Sequence, residues 1–140
     1  MAEYSINGEG IIVGRLASKA AKLLLEGNTV NIFNAEKTVM SGHLDFMIKK
    51  YKLKVELKDK ANPEHSPYIS RRPDLFVKRI VRGMLPYRQF KGKNAYKNLK
   101  VYIGKPPMME ENKNFEIKKG EEVYENLITI KTLTEKLGYK

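Results

Sequence analysis

Short apolar runs and one amphipathic segment organise the first forty residues. Ile11-Ile12-Val13 is a continuous apolar run between two glycines, which is typical of a buried strand. The next segment, which ends at Gly27, spaces its apolar residues at helical intervals; they are Leu16, Ala20, Leu23 and Leu24. A second strand is predicted over 28–34. Strand, helix and strand with short connections form a βαβ unit, so we expect parallel strands joined by a right-handed crossover.

The chain from Thr38 onward starts with regular patterns and then loses them. Thr38-Val39-Met40 is apolar and β-branched but too short to assign as a strand. Ser41 is suited to cap a helix that runs to about Lys52, because apolar residues then recur at helical spacing. From 55 to 72 the periodicity disappears and prolines occur, which predicts a loop. A loop of this length is either functional or ordered by a partner.

A helix, a loop and a strand are predicted after this long loop. Pro73 suits the first position of a helix, and Asp74 suits the positive end of the helix dipole. A broad apolar side continues until Pro86 ends the helix. We expect a loop over 87–98 and then an alternating strand over 99–103.

The chain changes character after Pro107, where glutamates become frequent. Ile128-Thr129-Ile130 is interpreted as a short edge strand, and the capping-box pattern at 132–135 predicts one or two helical turns that end at Gly138. There is no second core-sized apolar segment. We therefore predict an α/β core domain over 1–107 and a C-terminal extension over 108–140 that packs on it.

Positive charge is concentrated in the middle of the chain. Residues 41–105 contain 17 Lys and Arg but only 5 Asp and Glu, a net charge of +12 in a chain whose total is +11. The segment Arg71–Lys105 holds eleven cations and one acid, and such a stretch repels itself unless an anion lies against it. Arg71 and Arg72 also precede a helix N-terminus, where the dipole disfavours cations, so we interpret them as partners of an external anion. The predicted partner is nucleic acid.

The composition argues against several other function classes. The chain has no cysteine and only two histidines, His43 and His65, so neither a disulfide framework nor a clustered metal site is expected. No Cys/His pair or Ser/Asp elbow supports a catalytic triad. We predict no enzyme, no metal and no cofactor. The sequence shows no signal-peptide pattern and no apolar stretch near the roughly 18 residues of a membrane span. We expect a soluble cytoplasmic protein without membrane contact or small-molecule substrate.

The predicted turn at Gly14-Arg15 leaves alternatives open. The free N–H groups of a helix N-terminus bind phosphate, and no Ser, Thr or Asp is there to cap them. The P-loop signature is missing, because Arg15-Leu16 follows the glycine where Lys and Ser or Thr are required. The turn is an ordinary βα turn, a site for a nucleic-acid phosphate, or the pocket of a nucleotide-dependent enzyme that acts on RNA. A DNA-binding regulator that reads the major groove with a helix is a further class.

Two glycines of the basic segment stand out. Tyr87–Lys97 interleaves aromatic rings with cations around Gly92. Rings stack on unpaired bases while cations neutralise phosphates, so this segment predicts contact with RNA or DNA. The alternative is that the rings pack on the domain and the cations lie in solvent.

Gly83, inside the predicted helix, costs up to about 1 kcal/mol relative to Ala, which indicates close packing or the close approach of a backbone.

Ordered motifs in the sequence carry a family resemblance. They are Val13-Gly14-Arg15-Leu16-Ala17-Ser18, Asn34-Ala35-Glu36-Lys37 with Ser41-Gly42, Arg82-Gly83-Met84-Leu85-Pro86, Lys91-Gly92-Lys93 and Leu99-Lys100-Val101-Tyr102-Ile103-Gly104. Together they resemble the universal family of ribosomal large-subunit protein thirteen, over about residues 11–107. The short path from Ser41 to Arg71 and the acidic tail resemble the archaeal and eukaryotic branch of that family.

The resemblance implies a fold, a function and a set of partners. The implied fold is α/β, a three-layer α/β/α arrangement around a mostly parallel four-stranded sheet, with the tail as an appendage. The implied function is that of a non-catalytic structural constituent of the ribosome, which binds large-subunit rRNA of the 23S type, contacts neighbouring large-subunit proteins and supports subunit assembly. Carried over by position, the RNA-facing candidates are Arg15, Arg71, Arg72, Arg79, Arg82, Arg88, Lys91, Lys93 and Lys97.

Overall fold

The computed structural model describes residues 1–110, 117–120 and 124–140. Its strands and helices, in chain order, are β1 (Glu3–Asn7), α1 (Val13–Leu25), β2 (Thr29–Phe33), β3 (Val39–Ser41), α2 (Leu44–Glu56), α3 (Pro73–Met84), α4 (Phe90–Lys97), β4 (Leu99–Val101), β5 (Leu127–Thr129) and α5 (Ile130–Lys136). Short 3-10 turns occur at Ala35–Lys37 and Pro63–His65. Four glutamates of the acidic tail lie outside the described residues; they are Glu111, Glu116, Glu121 and Glu122.

The central strand β2 organises a parallel sheet of order β1-β2-β4. β2 pairs in parallel with β1, and on its other side with β4, where Val30 lies opposite Leu99. Val30 and Ile32 are fully buried, and so is Phe33 to within 1%. Such a continuous buried run is expected of a strand covered on both faces. The α/β class is thus confirmed. α1 joins β1 to β2 in a βαβ unit, but the prediction that residues 11–13 form its first strand is wrong.

The number and position of the strands differ from the prediction. Ile11 and Ile12 form only isolated bridges, to Lys119 and Val39, so the described part of the chain has three parallel strands where the family resemblance implied four. The first strand is the more polar segment Glu3–Asn7, whose only buried residue is Ile6. An edge strand of this kind lacks the apolar run on which the prediction relied.

A second, smaller sheet ties the C-terminal part of the chain to its middle. The run at Val39, too short to assign from sequence, is a strand that pairs antiparallel with β5. The predicted edge strand at 128–130 is therefore confirmed as a strand, displaced by one residue toward the N-terminus. The predicted boundary between a core domain, 1–107, and an extension, 108–140, stays a prediction.

Three helices pack together on the sheet. The buried stripe of α1 meets Val81 of α3 and Ala95 of α4, and the same cluster includes Val30 and Ile32 of β2. The α1 residues of this stripe are Leu16, Ala17, Ala20, Ala21, Leu23 and Leu24. Burying one leucine side chain fully contributes about 1.5–3 kcal/mol, so α1 is a principal source of stability.

A second cluster of buried residues lies around α3 and α5. It joins Phe76 and Val77 of α3 to Ile130 and Leu133 of α5, and α2 packs against it through partly buried side chains. α5 begins at Ile130, and the hydroxyl of Thr129 accepts a hydrogen bond from the N–H of Thr132 at 3.2 Å. The cap therefore lies three residues before the predicted capping box, and that prediction is wrong in register.

The predicted limits of the other helices were correct in part. α1 ends just before Gly27, whose φ of +92° is the left-handed conformation that glycine adopts readily. α3 starts at Pro73, as predicted. α2 starts at Leu44, with His43 at the capping position, so the prediction that Ser41 caps it is wrong. Ser41 is instead the last residue of β3.

Groups of the chain itself close the carboxyl edge of the parallel sheet. The side-chain amide of Asn34 donates to Oδ1 of Asn7 at 2.9 Å, and the N–H of Gly104 donates to Oε2 of Glu36 at 3.0 Å. Asn34 holds a left-handed conformation with φ of 55°. Open α/β sheets usually bind nucleotides at this edge. Here the motif at 34–37 joins the ends of the strands instead.

Candidate nucleic-acid interface

The nine cations assigned by resemblance all lie at the surface. They are Arg15 on α1, Arg71 and Arg72 before α3, Arg79 and Arg82 on α3, Arg88 in the following turn, and Lys91, Lys93 and Lys97 on α4. No Asp or Glu occurs in the sequence between Asp74 and Glu110. The surface of α3 and α4 therefore carries positive charge that their own segment does not neutralise.

Residues 90–97 form the helix α4, and the prediction of a loop there is wrong. Its buried face consists only of Gly92 and Ala95, so the helix has almost no apolar periodicity to detect. A Cβ atom added to Gly92 would lie 2.1 Å from the carbonyl oxygen of Pro86. Glycine is thus needed at this position because α4 packs directly on the turn that follows α3. The exposed face of α4 presents Phe90, Lys93 and Lys97, spaced by three and four residues.

Two tyrosines of the basic segment are packed within the fold. The rings of Tyr87 and Tyr96 meet edge to face with centroids 5.4 Å apart. The guanidinium of Arg82 lies 4.0 Å from the Tyr87 centroid, and the Lys78 ammonium lies 5.1 Å from that of Tyr96. Burial raises the pKa of Tyr96, an effect that Arg82 opposes. Tyr87 and Tyr96 therefore pack on the domain, as the alternative interpretation of this segment stated. Phe90, by contrast, is 79% exposed.

Arg71 and Arg72 both have neighbours inside the chain. Nε and Nη2 of Arg72 donate to the two carboxylate oxygens of Asp74, at 3.2 and 2.8 Å. A Cβ atom added to Gly138 would lie 3.3 Å from Nη1 of Arg71, so Arg71 lies beside the C-terminal end of α5, where a helix dipole favours cations. An external anion is therefore not needed to explain their position. Both remain exposed, and their contact with RNA stays a prediction.

Gly14 and Gly83 have open space around them. No described atom outside their own helices lies within 4 Å of a Cβ added at either position. Packing within the described chain therefore does not explain the glycine at position 83. The other predicted explanation, the close approach of a partner's backbone, stays an expectation. Gly14 lies in the first turn of α1, and β1 ends at Asn7, so no strand leads directly into this helix as a nucleotide pocket of that type would require.

The described residues offer little for other chemistry. They include no group of three or more His, Asp and Glu that could hold a metal ion. His43 and His65 are both exposed. Across the ranges 1–110, 117–120 and 124–140, no helix is long and apolar enough to cross a membrane.

The fold and its charged surface define a basic α/β protein of the nucleic-acid-binding class. A family model described as Ribosomal protein L13 matches residues 2–108. The chain therefore belongs to the ribosomal protein L13 family. This confirms the predicted family, and with it a structural ribosomal protein rather than the nucleotide-dependent enzyme considered from Gly14.

Individual relatives agree with this assignment. The chain is 45% identical over 117 residues to large ribosomal subunit protein uL13 of Methanosphaera stadtmanae, which covers 83% of this chain and 82% of the relative. It is 41% identical over 136 residues to the protein of that name from Methanocaldococcus jannaschii, with 96% and 97% covered. For Methanopyrus kandleri the identity is 35% over 141 residues, with 96% and 86% covered. These are archaeal proteins, as the predicted branch requires.

Proposed function

We propose that this protein is a non-catalytic structural constituent of the large ribosomal subunit that binds 23S-type rRNA and supports subunit assembly. Its place is on ribosomes in the cytoplasm, beside neighbouring large-subunit proteins. The exposed cations of α3, the following turn and α4 neutralise phosphates; the set comprises Arg79, Arg82, Arg88, Lys91, Lys93 and Lys97. Arg15, Arg71 and Arg72 extend this set on other elements.

One observation carries the proposal. In a chain of the L13 family, the 35 residues between Asp74 and Glu110 contain no acid, and six of their nine cations are exposed on α3, on the turn that follows it and on α4. Exposed cations without nearby carboxylates attract a polyanion strongly, because binding releases its condensed counterions. The exposed ring of Phe90 among these cations adds a surface on which an unpaired base can stack.

Salt dependence of binding tests the proposal. Filter binding of the protein to large-subunit rRNA, measured over a range of salt concentrations, should give log K falling linearly with log salt, with a slope of about 0.7–0.9 per phosphate contact. Changing Lys91 and Lys93 together to Ala should flatten the slope by up to about two units. Lys131→Ala with Lys136→Ala, on the exposed side of α5, is the matched control and should leave the slope unchanged.

Two outcomes would contradict the proposal. An unchanged slope for the Lys91 and Lys93 double variant would remove α4 from the interface. Competition by duplex DNA as effective as that by rRNA would favour a DNA-binding regulator instead. In assembled ribosomes, we expect the protein to cosediment with large subunits in high salt.

A further inference from the structure

A groove opens between α2, α3 and the long loop 57–72, away from the rings of Tyr87 and Tyr96. Its volume is about 400 Å³, within the range of ligand-binding clefts. It is lined by Tyr51, Lys54, Leu57, Pro67, Ile69, Phe76, Arg79, Ile80 and Gly83. Seven of these nine residues carry no formal charge and most are apolar, so the groove suits a flat hydrophobic group.

The charges around the groove are all positive. Among the described residues, the charged ones that line it are Lys54 and Arg79. A second groove of about 430 Å³ adjoins it and shares Pro67 and Ile69, and its charged lining residues are Arg71 and Arg72. Within the described part of the chain, no carboxylate lines either groove. An occupant with an apolar plane and a negative charge matches this combination.

The aromatic wall and the cations are held in place by contacts within the chain. Tyr51 meets Phe76 edge to face with centroids 5.0 Å apart, and the Lys54 ammonium lies 5.5 Å from the Tyr51 centroid. Arg79 donates from Nη1 to the carbonyl oxygen of Tyr68, which ties the loop to α3. A site whose walls are fixed before binding loses less entropy when the ligand arrives.

Gly83 forms part of the rim of this groove. An added Cβ there would have no described atom outside its helix within 4 Å, and the residue is exposed. The absence of a side chain leaves room for the backbone of a ligand to pass over α3 on its way into the groove. Arg79, which lines the groove, lies three residues before Arg82 on α3, and both belong to the cationic set assigned above to rRNA, so the groove adjoins that set.

We propose that this groove binds one unpaired nucleotide of the RNA. The base enters the apolar part beside Tyr51, Ile69 and Ile80, and its phosphate lies against Lys54 and Arg79. The proposal rests on the proposed function, because it specifies that the rRNA contributes an unpaired nucleotide to this groove. An acidic protein segment with an aromatic side chain would match the same chemistry. The continuity with the cationic face of α3 favours RNA.

A base-specific binding measurement tests the proposal. The probe is a single-stranded RNA hexamer with one 2-aminopurine, compared with the same hexamer carrying an abasic ribose at that position. The wild-type protein should bind the base-containing hexamer about tenfold more tightly than the abasic one and should quench its fluorescence, because stacking on an aromatic wall contributes an affinity factor of this order. Lys54→Gln should weaken both hexamers alike, since it removes a phosphate contact.

Gly83→Leu closes the groove without endangering the fold. Leucine favours a helix more than glycine does, and its side chain projects into open space, so thermal stability should not fall. In this variant the two hexamers should bind equally. Ser18→Leu on the exposed side of α1 is the matched control and should keep the tenfold difference.

The proposal is overturned if the wild type does not distinguish the two hexamers, or if Gly83→Leu still does. Displacement of the hexamer by a glutamate- and phenylalanine-rich peptide at lower concentration than by competing RNA would assign the groove to a protein segment. The salt slope of rRNA binding, which depends on Lys91 and Lys93, is measured in parallel. A normal slope without base discrimination contradicts the groove alone, whereas loss of the slope contradicts the proposed function.

Discussion

The helices α1 and α2 have the same length of 13 residues but opposite relations to the rest of the molecule. Seven residues of α1 are buried, and none of α2 is. The apolar residues of α1 fall on a single stripe, which the sheet, α3 and α4 cover. In α2 they spread around the helix, so that Phe46 and Leu53 are each more than half exposed.

The rest of the chain covers the apolar residues of α1, whereas it leaves part of those of α2 exposed to solvent. α1 belongs to the almost neutral part of the sequence, whereas α2 begins the region with a net charge of +12. Exposing large apolar side chains to water is unfavourable. A partner that covers them with an apolar plane and also brings negative charge to the nearby lysines would stabilise this surface. The contrast agrees with a scaffold around α1 and with the recognition surface that we propose along α2, α3 and α4.

The largest expected effect comes from shortening one leucine on each helix. Leu16→Ala on α1 removes a side chain with no exposed area, and the cavity should lower the free energy of unfolding by about 2–5 kcal/mol. Leu53→Ala on α2 shortens a side chain that is 65% exposed, and the change should stay within about 0.5 kcal/mol. Urea denaturation followed by circular dichroism measures both. A loss above about 2 kcal/mol for Leu53→Ala would show that α2 is part of the core.

The two glycines of the basic segment offer the next largest contrast. Gly92→Ala should destabilise the protein by about 1–3 kcal/mol, because the new methyl would lie 2.1 Å from a backbone oxygen and α4 would have to move away from Pro86. Gly83→Ala should stabilise it by up to about 1 kcal/mol, since the methyl meets no described atom within 4 Å and alanine favours the helix. Thermal unfolding of both variants gives the comparison. Equal effects of the two substitutions would contradict the packing described for α4.

The same contrast explains what the sequence alone could predict. The pattern identified α1, β2 and α3, because each buries a clear stripe or run, and Pro73 and Gly27 mark helix ends by local chemistry. It missed β1 and α4, because each buries little apolar surface and depends on contacts with distant residues. The nine cations are exposed and their contact with RNA stays a prediction, whereas the pairing of Arg72 with Asp74 depended on side-chain geometry that the sequence does not show. The groove beside Gly83 joins segments that are far apart in sequence, and no local pattern reveals it.

The smallest effect concerns the titration of Tyr51 on the inner side of α2. Burial raises the pKa of its phenol above the ordinary value of 10.0, so the unfolded chain loses this proton at a lower pH than the folded one. The contribution of Tyr51 to stability is full below about pH 10 and is lost as the pH rises through the pKa of the folded state. In urea denaturation, Tyr51→Phe should therefore lose less stability than the wild type as the pH rises above about 10. Identical pH profiles for Tyr51→Phe and the wild type would show that the side of α2 facing the second cluster is as open to water as its outer side.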